Sequence, residues 1–283
     1  MAVLRPRERR FPGQEGVLRD TLRFVTDTFE PWLGVRATGL GEIRTYSVCR
    51  VPIADLDTAT AASHIMKAAV TGTSYEVHLC NAYTLSLVDS DQALRQALLD
   101  GHLNLADGTP VAWLGRTTGD PGPVRGPGLV GAVAALGRGE MRHYLYGGKE
   151  GVADGMAEGL RDTYPGVDIV GTETPPFTEL SDQDLIDLAV RVRASGANIL
   201  WVGLGTPRQD HVVHRLAPLL EMPIVPVGAA FDFWSGAVKE APAFLHGSGL
   251  EWMYRLTREP RRLWRRYLLG NPRFLLSAWR HRR

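Results

Sequence analysis

From residue 47 onward, short apolar runs alternate with amphipathic stretches of ten residues or more, and no other feature of the 283-residue chain narrows its fold as far. The runs at 47–53, 75–80, 102–105, 143–146, 167–170, 198–203 and 223–227 read as strands. The stretches at 57–69, 84–99, 151–163, 182–194 and 208–220 carry helical spacing. Strands this apolar, with little alternation along them, must be covered on both faces, and the helices between them supply the cover. The pattern predicts an α/β fold, a Rossmann-like doubly wound and mostly parallel sheet over residues 46–240, with its ligand beyond the carboxyl ends of the strands. Residues 1–45 read as a weakly ordered leader in which 18–32 could form one short helix. Residues 241–283 read as a helical, Arg- and aromatic-rich appendage, divided by Pro260 and the Gly270-Asn271-Pro272 turn.

Charge separates the body from that appendage. Thirty-two Lys and Arg against 31 Asp and Glu exclude a uniformly basic nucleic-acid coat or an acidic tail protein. Yet residues 251–283 hold ten Arg and two Glu, so a basic end sits on a slightly acidic body. Trp252, Leu256, Leu263, Trp264, Tyr267, Leu268, Phe274, Leu275 and Trp279 are interleaved with those arginines. Short helices of that composition suit an anionic membrane surface, where each basic residue contributes about 1 kcal/mol. Packing onto the core or a partner chain is the second reading of the tail, and nucleic acid, for want of any binding motif in the body, the last. No run approaches the roughly 18 apolar residues of a membrane span, and nothing after the N-terminus resembles a signal peptide. The expected location is cytoplasmic, peripheral on the inner face of the cell membrane. Cys49 and Cys80 lack zinc or redox spacing and read as reduced core residues.

Four strand-to-helix turns carry candidate chemistry. Ala106-Asp107-Gly108 places a carboxylate at a strand end, either as a general base facing the crevice or as the cap of the next helix. Gly147-Gly148-Lys149-Glu150-Gly151 would let backbone N–H groups approach a phosphate, or is simply a turn. Gly203-Leu204-Gly205-Thr206-Pro207-Arg208-Gln209-Asp210 puts Pro207 at the first helical position and adds a charge and a two-way amide just inside the helix. Gly228-Ala229-Ala230-Phe231-Asp232 suits a base or ribose pocket, or core aromatics with a capping Asp. The pairs Asp55/Asp57, Asp89/Asp91 and Asp182/Asp184 invite a metal, but the first and third sit at helix starts and the second within a helical pattern. None ends an apolar strand on this reading, and no metal is expected. His211 and His214 read as surface or packing residues.

Taken in order over residues 46–277, these turns resemble the WecG/TagA/CpsF family of bacterial glycosyltransferases. The resemblance rests on Cys80-Asn81-Ala82, Ala106-Asp107-Gly108, Pro123-Val124-Arg125-Gly126, the 147–151 turn, Val170-Gly171-Thr172 and the 203–210 turn. It continues through the 228–232 turn, Leu250-Glu251-Trp252-Met253-Tyr254-Arg255-Leu256, residues 259–267 and Asn271-Pro272-Arg273-Phe274. The resemblance implies an inverting, metal-independent enzyme that moves a hexose or N-acetylhexosamine, such as N-acetylmannosamine or its uronic acid, from a UDP-sugar donor. The acceptor would be a polyprenyl-diphosphate-linked sugar used in cell-surface polysaccharide or teichoic-acid-type polymers. It further implies Asp107 as general base, with Arg125 and Gln209 lining the donor. Asn81, Gly147, Gly148, Gly151, Gly205, Pro207, Arg208 and Asp232 would hold the UDP-sugar, and Arg255, Arg262 and Arg265 of the appendage would close over the site. No cofactor is implied, since the UDP-sugar is a substrate. Two departures stand out: Leu79 where many members carry Thr, with Thr84 as a substitute contact, and a leader longer than the family core requires.

A non-catalytic UDP-sugar-binding scaffold in a polysaccharide assembly complex is the alternative function. A nicotinamide-dependent oxidoreductase is disfavoured, because no turn carries Gly-x-Gly-x-x-Gly. A homo-oligomer that buries the tail's apolar face is compatible with the sequence, which does not specify one.

Overall fold

The computed structural model describes residues 43–115, 122–176, 178–238, 251–258 and 260–281. The expected leader lies outside the described residues up to residue 42, as does the stretch 239–250 around the expected boundary at 240. In chain order the elements are β1 (Thr45–Val48), β2 (Val51–Ala54), α1 (Thr58–Thr71), β3 (Tyr75–Cys80), α2 (Ala82–Leu87), α3 (Gln92–Asp100), β4 (Leu103–Ala106) and the single-turn α4 (Thr109–Ala112). There follow α5 (Gly126–Leu136), β5 (Arg142–Gly147), α6 (Val152–Thr163), β6 (Asp168–Glu173), α7 (Asp182–Ala194), β7 (Ile199–Gly203), α8 (Arg208–Leu216), β8 (Pro223–Pro226) and α9 (Ala230–Trp234). The appendage is α10 (Glu251–Arg258), α11 (Pro260–Leu268) and α12 (Gly270–Arg280).

The strands form one sheet in the order β1-β2-β4-β3-β8-β7-β5-β6, parallel except for the β1–β2 hairpin. This is the expected Rossmann-like, doubly wound sheet. Period-2 alternation sends side chains into helical layers on both faces. Val77, Leu79, Leu103, Leu105, Ile199, Trp201, Val225 and Val227 pack with α1, α5, α6 and α9. Leu200, Val202 and Ile224 meet α7 and α8 on the other face. Farther along that face Ile53, Cys80 and Ala106 pack with α2, α3 and Phe274 of α12. The first half of the chain builds β2, β4 and β3, and the second half builds β8, β7, β5 and β6. The two meet between β3 and β8, where a crevice opens at the carboxyl ends of the strands.

Three local expectations are corrected. The run at 47–53 is a hairpin: Cys49 and Arg50 both have positive φ, 52° and 65°, and join paired Val48 and Val51 in a two-residue turn. That geometry usually announces itself with Asn or Gly, and here neither is present. The stretch at 84–99 is two helices, because the Asp91 carboxylate accepts the Leu94 N–H at 2.9 Å and starts a new helix there. Asp89 and Asp91 are therefore at a helix junction. The helix expected over 208–220 ends at Leu216 and gives way to a short 3-10 turn containing Pro218. Cys49 and Cys80 are free and buried, and burial pushes both thiols upward in pKa.

One buried histidine sets an acid limit to this core. His143 of β5 is 1% exposed and its Nδ1 accepts the Trp201 indole N–H at 2.9 Å. Burial pulls its pKa from 6.5 down to about 4. The unfolded chain takes up a proton there before the folded one does, so stability is lost as pH falls from 6.5 towards about 4. The loss from this group is of the order of 3 kcal/mol. His143→Gln, which keeps an acceptor for the indole, is expected to flatten the melting temperature across that window. An unchanged slope would assign the acid sensitivity elsewhere.

Candidate active site

The floor of the crevice is built from the turns after β3 and β4. Asn81 is the N-cap of α2: its Oδ1 accepts the N–H groups of Tyr83 and Thr84 at 3.0 and 3.1 Å and the Thr84 hydroxyl at 3.3 Å. With Oδ1 so occupied, the amide has one orientation, and Nδ2 donates to Asp107 Oδ2 at 3.2 Å. Asp107 does not cap α4. The cap position is Gly108, which makes no side-chain cap bond, so the carboxylate stays at the crevice floor. Thr84 is buried and its hydroxyl goes to Asn81, while Leu79 lines the crevice with an apolar side chain.

Arg125 and Gln209 line the walls. Arg125 is the N-cap of α5, and Gly126 behind it touches the exit of β8. A Cβ on Gly126 would lie 2.9 Å from the Val227 carbonyl oxygen, so the helix start can sit this close only as glycine. Gln209 is 4% exposed, and its Oε1 accepts the Gly205 N–H at 3.0 Å. The N-terminal ends of α5 and α8 thus border the same space as the Arg125 side chain, a positive setting for a diphosphate.

The roof comes from the appendage. Trp252, Arg266, Tyr267 and Asn271 line the crevice together with Tyr83 of α2. The Arg266 guanidinium lies 4.9 Å over the Tyr83 ring, and the rings of Trp252 and Tyr267 are 5.6 Å apart. The roof is pinned by α12, where Phe274 is 2% exposed and the Ser277 hydroxyl donates to Asp89 Oδ2 at 2.8 Å. Arg255 lies on α10, and Arg262 and Arg265 on α11, but their side chains fall outside the described residues. The sequence pattern includes Arg266 and Tyr267 but does not single them out, or Tyr83, as crevice residues. The signal was the Arg-aromatic interleaving itself, which does not say which residue of a helix turns inward.

Of the expected UDP-sugar residues, Asn81 and Gly205 line this crevice, whereas Gly147, Gly148, Gly151, Pro207, Arg208 and Asp232 do not. Gly147 sits where β5 meets β7, and a Cβ there would lie 2.5 Å from Gly203 Cα. The Gly148 N–H donates to the Gly203 carbonyl at 3.0 Å and ties the start of this turn to β7. The Arg208 guanidinium donates to the carbonyls of Pro176 and Thr178 and braces the segment after β6. Pro207 is the N-cap of α8, one position before the expected one, and Asp232 lies on α9 between lining residues Ala230 and Phe233.

The remaining acidic pairs and histidines have partners elsewhere. Asp57 caps α1, Asp184 caps α7 with Ser181, and Asp182 pairs with Arg215 at 2.7 Å. Asp55, contrary to expectation, directly follows strand β2, and its Oδ2 is 3.5 Å from Arg44. His211 lies 3.2 Å from Asp91, and His214 lies 3.0 Å from Glu76. Among the described residues, no group of three or more His, Cys, Asp or Glu gathers as metal ligands would.

A family model described as the glycosyl transferase WecG/TagA/CpsF family matches residues 46–283. The chain is also similar to two proteins named N-acetylglucosaminyldiphosphoundecaprenol N-acetyl-beta-D-mannosaminyltransferase. It is 31% identical to the one from Bacillus spizizenii over 183 residues, 63% of this chain and 68% of that protein. It is 29% identical to the one from Bacillus subtilis over 192 residues, 66% of this chain and 72% of that protein.

Proposed function

Because the chain belongs to the WecG/TagA/CpsF family of glycosyl transferases, we propose that it moves an N-acetylhexosamine or related hexose from a UDP-sugar to a polyprenyl-diphosphate-linked sugar, with inversion and without a metal. The observation that carries this reading is the Asn81–Asp107 pair at the crevice floor, faced by Arg125 and the helix N-termini. The Asn81 amide holds the Asp107 carboxylate through Oδ2 at the crevice floor, the place for a base. Asp107 takes the proton of the acceptor hydroxyl while that oxygen attacks the anomeric carbon, and the bond from that carbon to the UDP oxygen breaks. The charge that grows on the departing diphosphate is met by Arg125, by the N-termini of α5 and α8 and by Arg266 from the roof. Gln209 orients the donor beside Gly205. The names of the two Bacillus relatives favour N-acetylmannosamine as the sugar moved and N-acetylglucosaminyl diphosphoundecaprenol as the acceptor.

The appendage supports action at a membrane surface. Among the described residues no helix is long and apolar enough to cross a membrane. Leu268, Leu275, Leu276 and Trp279 are nonetheless exposed, and Arg258, Arg261, Arg273 and Arg280 are exposed beside them. Apolar side chains with arginines alongside suit an anionic bilayer face, which would bring the lipid-linked acceptor to the crevice. UDP release across a panel of UDP-sugars, with polyprenyl-diphosphate-linked N-acetylglucosamine in liposomes, tests the reading. Acceptor-dependent release with UDP-N-acetylmannosamine is the expected result. UDP binding with no release from any donor would leave a binding scaffold in its place.

A further inference from the structure

Strand β3 carries Glu76, His78 and Cys80 on the face opposite Val77 and Leu79. His78 has no exposed surface. Its Nδ1 lies 3.0 Å from Asp210 Oδ1 and its Nε2 lies 2.9 Å from Glu76 Oε1. A carboxylate accepts and does not donate, and a neutral imidazole has a single N–H. With both acids ionised, both contacts are hydrogen bonds only when the ring carries two protons. Asp210 is itself fully buried and stands next to Gln209 in the first turn of α8. The ring is boxed in by Gly101, where a Cβ would lie 2.8 Å from His78 Cδ2.

We propose that His78, held as an imidazolium between Glu76 and Asp210, is a positioning residue of the transferase: it fixes the first turn of α8, and Gln209 with it, onto the strand that leads to Asn81 and Asp107. The proposal rests on the reading of the crevice given above. Glu76 from β3 and Asp210 from α8 touch the ring itself, and His214 of α8 and His102 before β4 lie against Glu76. Asp91 and Asp100 of the α3 ends face His211 and His214 at 3.2 and 4.0 Å. Burial, the strongest influence, draws the His78 pKa down, but the hydrogen bonds and charges of Asp210 and Glu76 outweigh it and raise it from 6.5 to about 9. A group raised in this way stabilises the fold fully below 6.5, and its contribution is lost as pH rises through about 9. Above that pH one ring nitrogen turns a lone pair towards a buried carboxylate, and the clamp on α8 opens.

The test follows the His78 ring by NMR, amide exchange over residues 209–212, and kcat and KM across the alkaline range. It uses the full chain, with liposomal acceptor and the donor found active. In the wild type the ring titration, the alkaline limb of kcat and the loss of amide protection are expected to share a midpoint near pH 9. Asp210→Asn keeps the side-chain volume and should move all three to lower pH by about one unit or more, with kcat falling more than KM rises. His78→Gln should abolish the alkaline shift in amide protection and lower kcat about tenfold; should it fail to fold, Asp210→Asn decides. A ring that titrates near 6.5, or exchange and kcat profiles that stay in place while the ring titration moves, would overturn the clamp. A fully active Asp107→Asn would instead count against the crevice reading, and the exchange result on His78 would stand independently of it.

Discussion

Asp107→Asn is expected to lower turnover by about 10²-fold or more while UDP affinity changes by less than about threefold. Asparagine fills the same volume, and its Oδ1 can still accept the bond from Asn81, so the crevice floor keeps its shape. What disappears is the proton acceptor, which acts only when the acceptor hydroxyl attacks. UDP-release kinetics beside calorimetric titration with UDP separate the two effects. Turnover close to wild type would take Asp107 out of the role of base. A parallel loss of UDP binding would mean that the carboxylate supports the nucleotide site rather than the chemistry.

Loss of the roof is expected to be as damaging. Removing residues 251–283 should abolish both turnover and vesicle binding, but the structure shows that this deletion also uncovers the core. Leu263 and Phe274 are each 2% exposed, and truncating a buried phenylalanine to alanine typically costs 3–5 kcal/mol. Arg266→Ala isolates the chemistry, because the body and the exposed arginines of the tail remain. It should lower kcat by about 10²-fold, the usual effect of losing one donor to a developing charge, with melting temperature and vesicle binding retained. Wild-type turnover in Arg266→Ala, or a fully active truncation, would mean that the appendage serves the membrane alone.

The fold was legible because its strands are buried on both faces and its helices carry a different period. That Asp107, Arg125 and Gln209 line one crevice was legible because each lies in or beside a turn at the carboxyl ends of the strands. What stayed hidden depends on neighbours that local sequence does not name. The glycines at 147–151 fit a phosphate turn or a plain one, and local sequence does not say that β8 and β7 both stand between β5 and the junction of β3 and β8. Arg208 looked like a ligand residue until the carbonyls of Pro176 and Thr178 came within its reach. Cys49 and Arg50 turn a hairpin without the usual residues, so two strands read as one. Arg266 lines the crevice from a run of arginines, and since adjacent residues on a helix differ by about 100° in direction, composition does not reveal which of them turn inward.

The roof of the crevice has a consequence in time as well as in space. Asp107, Arg125 and Gln209 all leave the ribosome before Trp252 and Arg266, and the sheet that holds them does not require the roof for its strand order. During synthesis, at roughly 5–20 residues per second, the body can begin to fold with its floor and walls in place and its top open. The crevice then gains its roof only once α12 seats Phe274. The event that closes the crevice is then the same one that sets out the exposed Leu275, Leu276 and Trp279 of α12, so under the proposed function a complete site and a membrane-seeking face are acquired together.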